Sequence, residues 1–281
     1  MFTRHLIASL DAPELAPYRT MRRPVEHVRQ GIFVAEGEKV VRRLLQDTRF
    51  EVVSVLLPDK WLAAYEPLLA AHPQTIPVFT AESRLLEQLV GFHLYQGVLA
   101  VGRIPPPPTV ASLLAGAPRP RLFVAADGLS NAENIGVLVR NCAAFSVQGL
   151  LVGETCASPW LRRAVRNSMG NIFQVPIVET AALLDALRLL QSNGVRLVAA
   201  HPHTEQTTLA ATDLTGDCCL VLGSEGDGLR PEVLAACDVA AAIPMPPTVD
   251  SMNVTSAAAV FLYEAARQRG QMGTRNRRAV R

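Results

Sequence analysis

Three loops in the second half of this 281-residue chain combine residue types that can do chemistry. The first runs Asp127-Gly128-Leu129-Ser130-Asn131-Ala132-Glu133-Asn134-Ile135-Gly136 and continues into Val137-Leu138-Val139-Arg140. Its polar side chains gather where a strand-like run gives way to a helical pattern. A helix N-terminus offers free N–H groups and a partial positive charge, which suits a phosphate, and Arg140 falls one helical turn beyond Gly136. An Asx-capped helix start with a surface arginine accounts for the same residues. The second loop is Leu222-Gly223-Ser224-Glu225-Gly226-Asp227-Gly228-Leu229. Its glycines allow positive φ and close approach of a ligand. Glu225 would repel phosphate, and the dinucleotide glycine spacing is missing, so an uncharged or cationic ligand group fits better. The third is Ile243-Pro244-Met245-Pro246-Pro247-Thr248-Val249-Asp250-Ser251-Met252-Asn253-Val254-Thr255. There a proline-stiffened loop enters a helix with Ser251, Asn253 and Thr255 at its first turn. Taken singly, a tight turn and an N-capped helix explain the second and third loops.

The elements around these loops alternate. Strand-like runs fall at 122–125, 149–152, 196–199, 219–222 and 240–243, with helical patterns at 136–145, 160–168, 181–190, 231–237 and 253–267. Short apolar strands separated by helices predict an α/β fold with a mostly parallel sheet covered on both faces. Ligands then bind beyond the carboxyl ends of strands, where all three loops lie. His201 and His203 also follow a strand, but with no partner ligand in view they read as loop residues. Upstream, strands at 52–57, 76–79 and 97–101 and helices at 61–69 and 81–90 predict a small α/β/α layer. Four prolines, Pro105 to Pro108, cannot continue a helix or donate ladder hydrogen bonds. The chain therefore divides into 1–104, a Pro-rich linker over 105–118, a second domain over 119–270 and a basic tail over 271–281.

Composition bounds the rest. With 49% hydrophobic and 19% charged residues, the chain is too apolar for global disorder. No apolar run reaches the roughly 18–20 residues that span a bilayer. Met1 to His5 opens no long apolar stretch with a small-residue cleavage site, so a cytoplasmic protein with no membrane partner is expected. The five cysteines are scattered, with no zinc spacing, and are expected to be reduced, buried thiols without a metal. A net charge of +2 is too small to argue for nucleic acid. Of the 27 basic residues only Lys39 and Lys60 are lysine, and arginine suits bidentate phosphate recognition.

Together, and in this order, the three loops resemble the signature motifs of the SpoU (TrmH) branch of the SPOUT RNA methyltransferases. The Asn-x-Gly-x-x-x-Arg motif is matched by Asn134, Gly136 and Arg140. The Leu-Gly-x-Glu-Gly-x-Gly motif is matched by Leu222 to Gly228. The Ile-Pro-Met and Ser-Leu-Asn-Val-Ser pair is matched by Ile243-Pro244-Met245 and Ser251-Met252-Asn253-Val254-Thr255. Pro247 stands where a glycine is usual, Met252 replaces leucine and Thr255 replaces serine. Domain 1–104 resembles the ribosomal-protein-like RNA-binding domain of many members, through Phe33-Val34-Ala35-Glu36-Gly37-Glu38 and Gln96-Gly97-Val98-Leu99-Ala100.

The resemblance implies a SPOUT-type sheet with a C-terminal trefoil knot, a homodimer, and S-adenosylmethionine-dependent methylation of a ribose 2′-hydroxyl in RNA. It implies catalytic roles for Arg140, Asn134, Glu225 and Asn253, and cofactor contacts for Leu222, Gly223, Gly228, Ile243, Met245, Ser251 and Met252. Arg22, Arg23 and Arg29 in the basic stretch 19–29, with Arg163 and Arg166 near Arg162, are expected to meet RNA phosphates, although a solvated helix face explains the latter group equally. The tail is expected to add salt-dependent affinity. The family's proposal of an arginine base conflicts with the reluctance of a guanidinium to give up its proton; holding a phosphate and stabilising alkoxide charge is the milder role for Arg140. The two-domain layout favours ribosomal RNA as partner, with transfer RNA possible. Two rivals stand beside this reading: a non-catalytic RNA-binding protein of the same fold, and a nicotinamide-dependent oxidoreductase suggested only by the glycine loop.

Overall fold

A computed structural model describes residues 1–7, 9–21, 23–91 and 97–271. Arg22, Gln96 and the tail from 272 onward, all named above, lie outside the described residues. The chain divides into two compact units. The first comprises Met1–Pro107, Asn131–Arg140 and Ala157–Gln174, and the second Pro108–Ser130, Asn141–Cys156 and the chain from Val175 onward.

The first unit contains strands β1 (Phe2–Leu6), β2 (Ile32–Glu36), β3 (Val52–Pro58), β4 (Ile76–Ala81) and β5 (Leu99–Arg103) in the order β1-β4-β3-β5-β2. The first three of that order are parallel, and β5 runs antiparallel to both β3 and β2. Helices α1 (Ala16–Arg19), α2 (Pro24–Arg29), α3 (Glu38–Gln46), α4 (Leu62–Ala71) and α5 (Ser83–Val90) accompany them. In α3, Val40, Val41, Leu44 and Leu45 are all buried, the i, i+1, i+4, i+5 pattern of an amphipathic helix. Strand β1 has no counterpart in the sequence reading: its residues are mostly exposed, so no apolar alternation marks it, and it is held by its ladder to β4.

Residues 157–174, distant in sequence, belong to this same unit. They include α8 (Arg162–Asn167). Phe33 and Phe50 meet Trp160 and Phe173, with centroids 5.2 Å apart for Phe33–Trp160 and 5.0 Å for Phe50–Phe173. Glu36 pairs with Arg162, and with Arg166 at 2.9 Å. Arg43 donates to the Met169 carbonyl at 2.9 Å and to Asn171 Oδ1 at 2.7 Å.

The second unit holds strands β6 (Leu122–Ala126), β7 (Gly149–Val152), β8 (Ile177–Glu179), β9 (Arg196–Ala200), β10 (Thr207–Thr208), β11 (Cys218–Leu222) and β12 (Val239–Ala242). Their order is β10-β12-β9-β11-β6-β7-β8, and every pair is parallel. The expected parallel α/β sheet is present. Its central strands β6 and β11 are buried throughout, as a sheet covered on both faces requires. Helices α6 (Val110–Gly116), α9 (Leu183–Ser192), α10 (Pro231–Ala236) and α11 (Val254–Gln268) complete the unit. Helix α7 (Ala132–Ala144) begins in the first unit and ends in the second.

Helix α6 corrects the linker reading. Thr109 and Ser112 form a reciprocal capping box immediately after the prolines, and Leu113 and Leu114 enter the core of the second unit, so only part of 105–118 lacks regular structure. All five cysteines are free; Cys142, Cys218 and Cys219 are buried. Among the described residues no helix is long and apolar enough to cross a membrane, and no group of three or more His, Cys, Asp or Glu side chains is placed to hold a metal ion.

Candidate active site

Parallel strands leave their carbonyl ends on one edge of the sheet, and the loops that follow β9, β11 and β12 surround a single open cleft of about 250 Å³. Leu222, Gly223, Ser224, Glu225, Gly226, Asp227 and Gly228 line it after β11. Ile243, Met245, Asp250, Ser251 and Met252 line it after β12, with Val254, Ala257 and Phe261 of α11. Thus all seven residues expected at a cofactor (Leu222, Gly223, Gly228, Ile243, Met245, Ser251 and Met252) meet at one cavity.

Loop 223–229 is drawn into a tight turn. The Ser224 amide donates to the Gly228 carbonyl at 2.8 Å and the Gly228 amide returns to the Ser224 carbonyl at 3.2 Å. A Cβ on Gly223 would sit 2.2 Å from the Gly228 carbonyl carbon, so backbone meets backbone there and no side chain fits. Gly228 takes φ +71°, the left-handed region that glycine tolerates best. Glu225 and Asp227 are exposed at the cleft rim.

Asn253 joins the second and third motifs. Its Oδ1 accepts from the Thr255 amide at 2.9 Å and the Thr255 hydroxyl at 2.6 Å, capping α11. Its Nδ2 donates to Glu225 Oε1 at 2.8 Å. Pro247, the departure from the usual glycine, occupies the second position of a turn closed by the Val249 amide on the Pro246 carbonyl at 2.9 Å, where a fixed φ is favoured.

The first motif is described within the first unit. The expected start of its helix at Gly136 is four residues late: Asn131 Oδ1 accepts from the Glu133 amide at 2.9 Å and starts α7 at Ala132, so Asn134 lies inside the first turn. Gly136 serves packing here, since a Cβ would lie 2.4 Å from the Ala164 carbonyl oxygen of α8. Arg140 is exposed and makes no ion pair among the described residues. Of the arginines expected at RNA, Arg23 and Arg29 are exposed, Arg23 lying 3.7 Å from Glu26. Arg166 is partnered by Glu36, and Arg163 lies 3.9 Å from Glu133.

Several lining residues stand outside the set expected at a site, His201 and His203 having been read as loop residues only. His201, Pro202 and His203 form one wall of the cleft, and the two imidazoles stack edge to face at 6.1 Å. The signal was present, because both histidines follow the carboxyl end of a parallel strand. Asp250 and Phe261 complete the lining without any motif position of their own.

Residues 121–263 match the family model for the SpoU rRNA methylase family. The chain is also 36% identical over 270 residues to an uncharacterized tRNA/rRNA methyltransferase of Mycobacterium bovis, covering 94% of this chain and 92% of that one. This chain belongs to the SpoU rRNA methylase family. A second relative of this family member is a 23S rRNA (guanosine-2′-O-)-methyltransferase of Xylella fastidiosa, 34% identical over 203 residues, which cover 71% of this chain and 81% of the relative. Among solved structures, an AdoMet-bound rRNA methyltransferase of Sinorhizobium meliloti shares the fold with a TM-score of 0.80 at 22% identity, over 94% of this chain and 98% of that one.

Proposed function

We propose that this SpoU-family protein transfers a methyl group from S-adenosylmethionine to a ribose 2′-hydroxyl in RNA. The observation that carries the reading is the convergence of loop 222–228 with Ile243, Met245, Ser251 and Met252 on one cleft in a chain of this family. The donor set fits such a cofactor. Leu222, Ile243, Met245, Met252 and Phe261 offer an apolar surface for a base and an aliphatic chain, while Glu225, Asp227 and Asp250 offer carboxylates to cationic groups. Gly228, with open space where a Cβ would stand, lets a ligand approach the backbone closely.

When bound, the cofactor supplies a methyl group already activated on a sulfonium, so positioning provides much of the acceleration. The chain's own task is to present the hydroxyl in line and to manage its proton. Arg140 holds a phosphate beside the target ribose and offsets negative charge as it develops on the oxygen. Glu225 and Asn253, joined by their hydrogen bond, shape the pocket, and Asn134 contributes from the first turn of α7.

Domain 1–104 is assigned to RNA binding, with Arg23 and Arg29 at phosphates. Ribosomal RNA is the favoured substrate: the two-domain layout supports it, as does the relative named as a 23S rRNA methyltransferase. Homodimerisation, a cytoplasmic location and a trefoil knot complete the reading. Two experiments test it. Calorimetry should show heat on addition of S-adenosylmethionine, which a purely RNA-binding protein would not give. Ribose-methylation maps of total RNA from cells with and without the gene should differ at one or a few positions. Identical maps would sink the enzymatic reading, and a site in transfer RNA would redirect the substrate.

A further inference from the structure

Both stems of loop 223–229 are tied to one residue outside the cleft. Asp127 follows the end of β6, and its amide donates to the Leu222 carbonyl at 2.8 Å, at the start of the loop. Its carboxylate accepts at the other end: Oδ2 takes the Arg230 amide at 2.9 Å and Oδ1 takes Arg230 Nε at 2.8 Å. Asp127 is only 1% exposed. A buried carboxylate is tolerable only when paired and hydrogen-bonded, so Arg230 is what allows Asp127 to sit there. The same guanidinium reaches Glu154 Oε1 through Nη1 at 2.6 Å, while Glu154 Oε2 accepts the Leu183 amide at 2.8 Å. The fork of one arginine thus spans the carboxylates that follow β6 and β7, a geometry that a lysine's point charge does not reproduce.

The loop between the two ties has no slack. Ser224 and Gly228 exchange backbone hydrogen bonds, and Gly223 lies against the Gly228 backbone. A shift at either stem must therefore move the cleft wall as a whole. Neither the Asp127 nor the Arg230 side chain lines the cleft.

We propose that Asp127 and Arg230 form a clamp that positions loop 223–229 for the methyl donor, and that they act through the loop without touching the donor. This rests on the reading of the cleft as the donor site. Displacing a binding loop by about 1 Å is enough to lose on the order of a hundredfold in function.

The test uses the full chain with wild type, Asp127→Asn, Arg230→Gln and the double variant. The dissociation constant for S-adenosylmethionine is measured by calorimetry below the unfolding temperature, alongside hydrogen exchange at the Ser224 and Gly228 amides. Each single variant should bind the donor about ten- to a hundredfold more weakly, with faster exchange at those two amides. The double variant should be no worse than the weaker single, because residues acting as one unit are not additive. Wild-type affinity in folded single variants, or losses that multiply in the double variant, would overturn the clamp. A general loss of stability would lower the melting temperature without this pattern. If a variant does not fold, the wild-type protein carries the test. The Arg230 Nε proton should exchange more slowly than that of a free arginine, and more slowly still with donor added; exchange at the free rate would overturn the proposal. A wild-type protein that gives no heat with the donor would sink the donor-site reading, while loop exchange in the variants would still decide whether the clamp orders the loop.

Discussion

Asn253 uses both ends of its amide: the oxygen caps α11 through Thr255, and the nitrogen donates to Glu225 across 2.8 Å. The third motif is thereby fastened to the second by a side chain that only an amide can supply. Aspartate preserves the cap but sets two carboxylates against each other, whereas serine preserves the cap and simply omits the donor. Alanine loses both, at about 1 kcal/mol for the cap.

These differences order the Asn253 variants. Asn253→Asp should keep a melting temperature within a few degrees of wild type, since both residues are exposed and screening limits their repulsion. Its methyl transfer should fall further than that of Asn253→Ser, by about tenfold or more. Wild-type rates in both variants would show that the link to Glu225 has no part in function. The check is initial rates at saturating donor beside thermal melts.

Arg140 is exposed and unpaired among the described residues, so its charge is available to a ligand. Arg140→Ala should lower methyl transfer by more than about a hundredfold, the scale seen when a charge-stabilising group is lost, while the calorimetric affinity for S-adenosylmethionine stays within about threefold. Arg140→Lys should recover part of the rate, because a positive charge remains although its planar fork does not. Near-normal turnover in the alanine variant would remove Arg140 from the mechanism.

The sheet of the second unit was legible because β6, β7, β9, β11 and β12 are apolar runs bounded by helical patterns, and burial on both faces demands that composition. Strands β8 and β10 were not, being three and two residues long; ladder pairing with β7 and β12 defines them, not their side chains. The same holds for β1. The cleft was legible through the glycines of loop 222–228 and the polar first turn of α11. His201 and His203 were legible as loop residues after β9, but their place in the cleft lining depends on how the loops after β9, β11 and β12 converge, which no local pattern encodes. The inclusion of 157–174 in the first unit had no sequence signal at all, since pairs such as Phe33 with Trp160 and Glu36 with Arg166 join distant stretches of chain.

Gly136 of the first motif has a structural reason to be glycine. A Cβ there would approach the Ala164 carbonyl oxygen to 2.4 Å and the Asn167 Cβ to 2.8 Å, and the first of these is backbone that cannot rotate away. Gly136→Ala should therefore destabilise by about 1–3 kcal/mol as α7 and α8 are pushed apart, despite the usual gain of helix propensity near 1 kcal/mol from glycine to alanine. Urea denaturation measures the sum. A stabilised variant would mean that the helices separate without penalty.

The last turns of α11 carry a carboxylate with a distinct acid response. Hydrogen bonds from Arg267, then from Gln268, hold Glu264 down at about 2, with Arg267 at 2.7 Å and Gln268 Nε2 at 2.8 Å. Gln268 also donates to the Thr212 carbonyl at 2.9 Å and accepts from the Leu214 amide at 2.7 Å, which ties the helix end to the segment before β11. A carboxyl whose pKa is lower folded than unfolded contributes stability that is complete above the unfolded value and fades as pH falls through the folded one. Glu264 should thus remain ionised at pH 4, with its contribution eroding between about pH 4.5 and pH 2. Carbon-detected NMR titration should place its midpoint well below the ordinary glutamate value. Glu264→Gln should flatten the stability profile over that window, and the difference from wild type should be smallest at about pH 1.5, where Glu264 is mostly protonated. A midpoint near the ordinary glutamate value would show that the Arg267 and Gln268 contacts do not persist in solution.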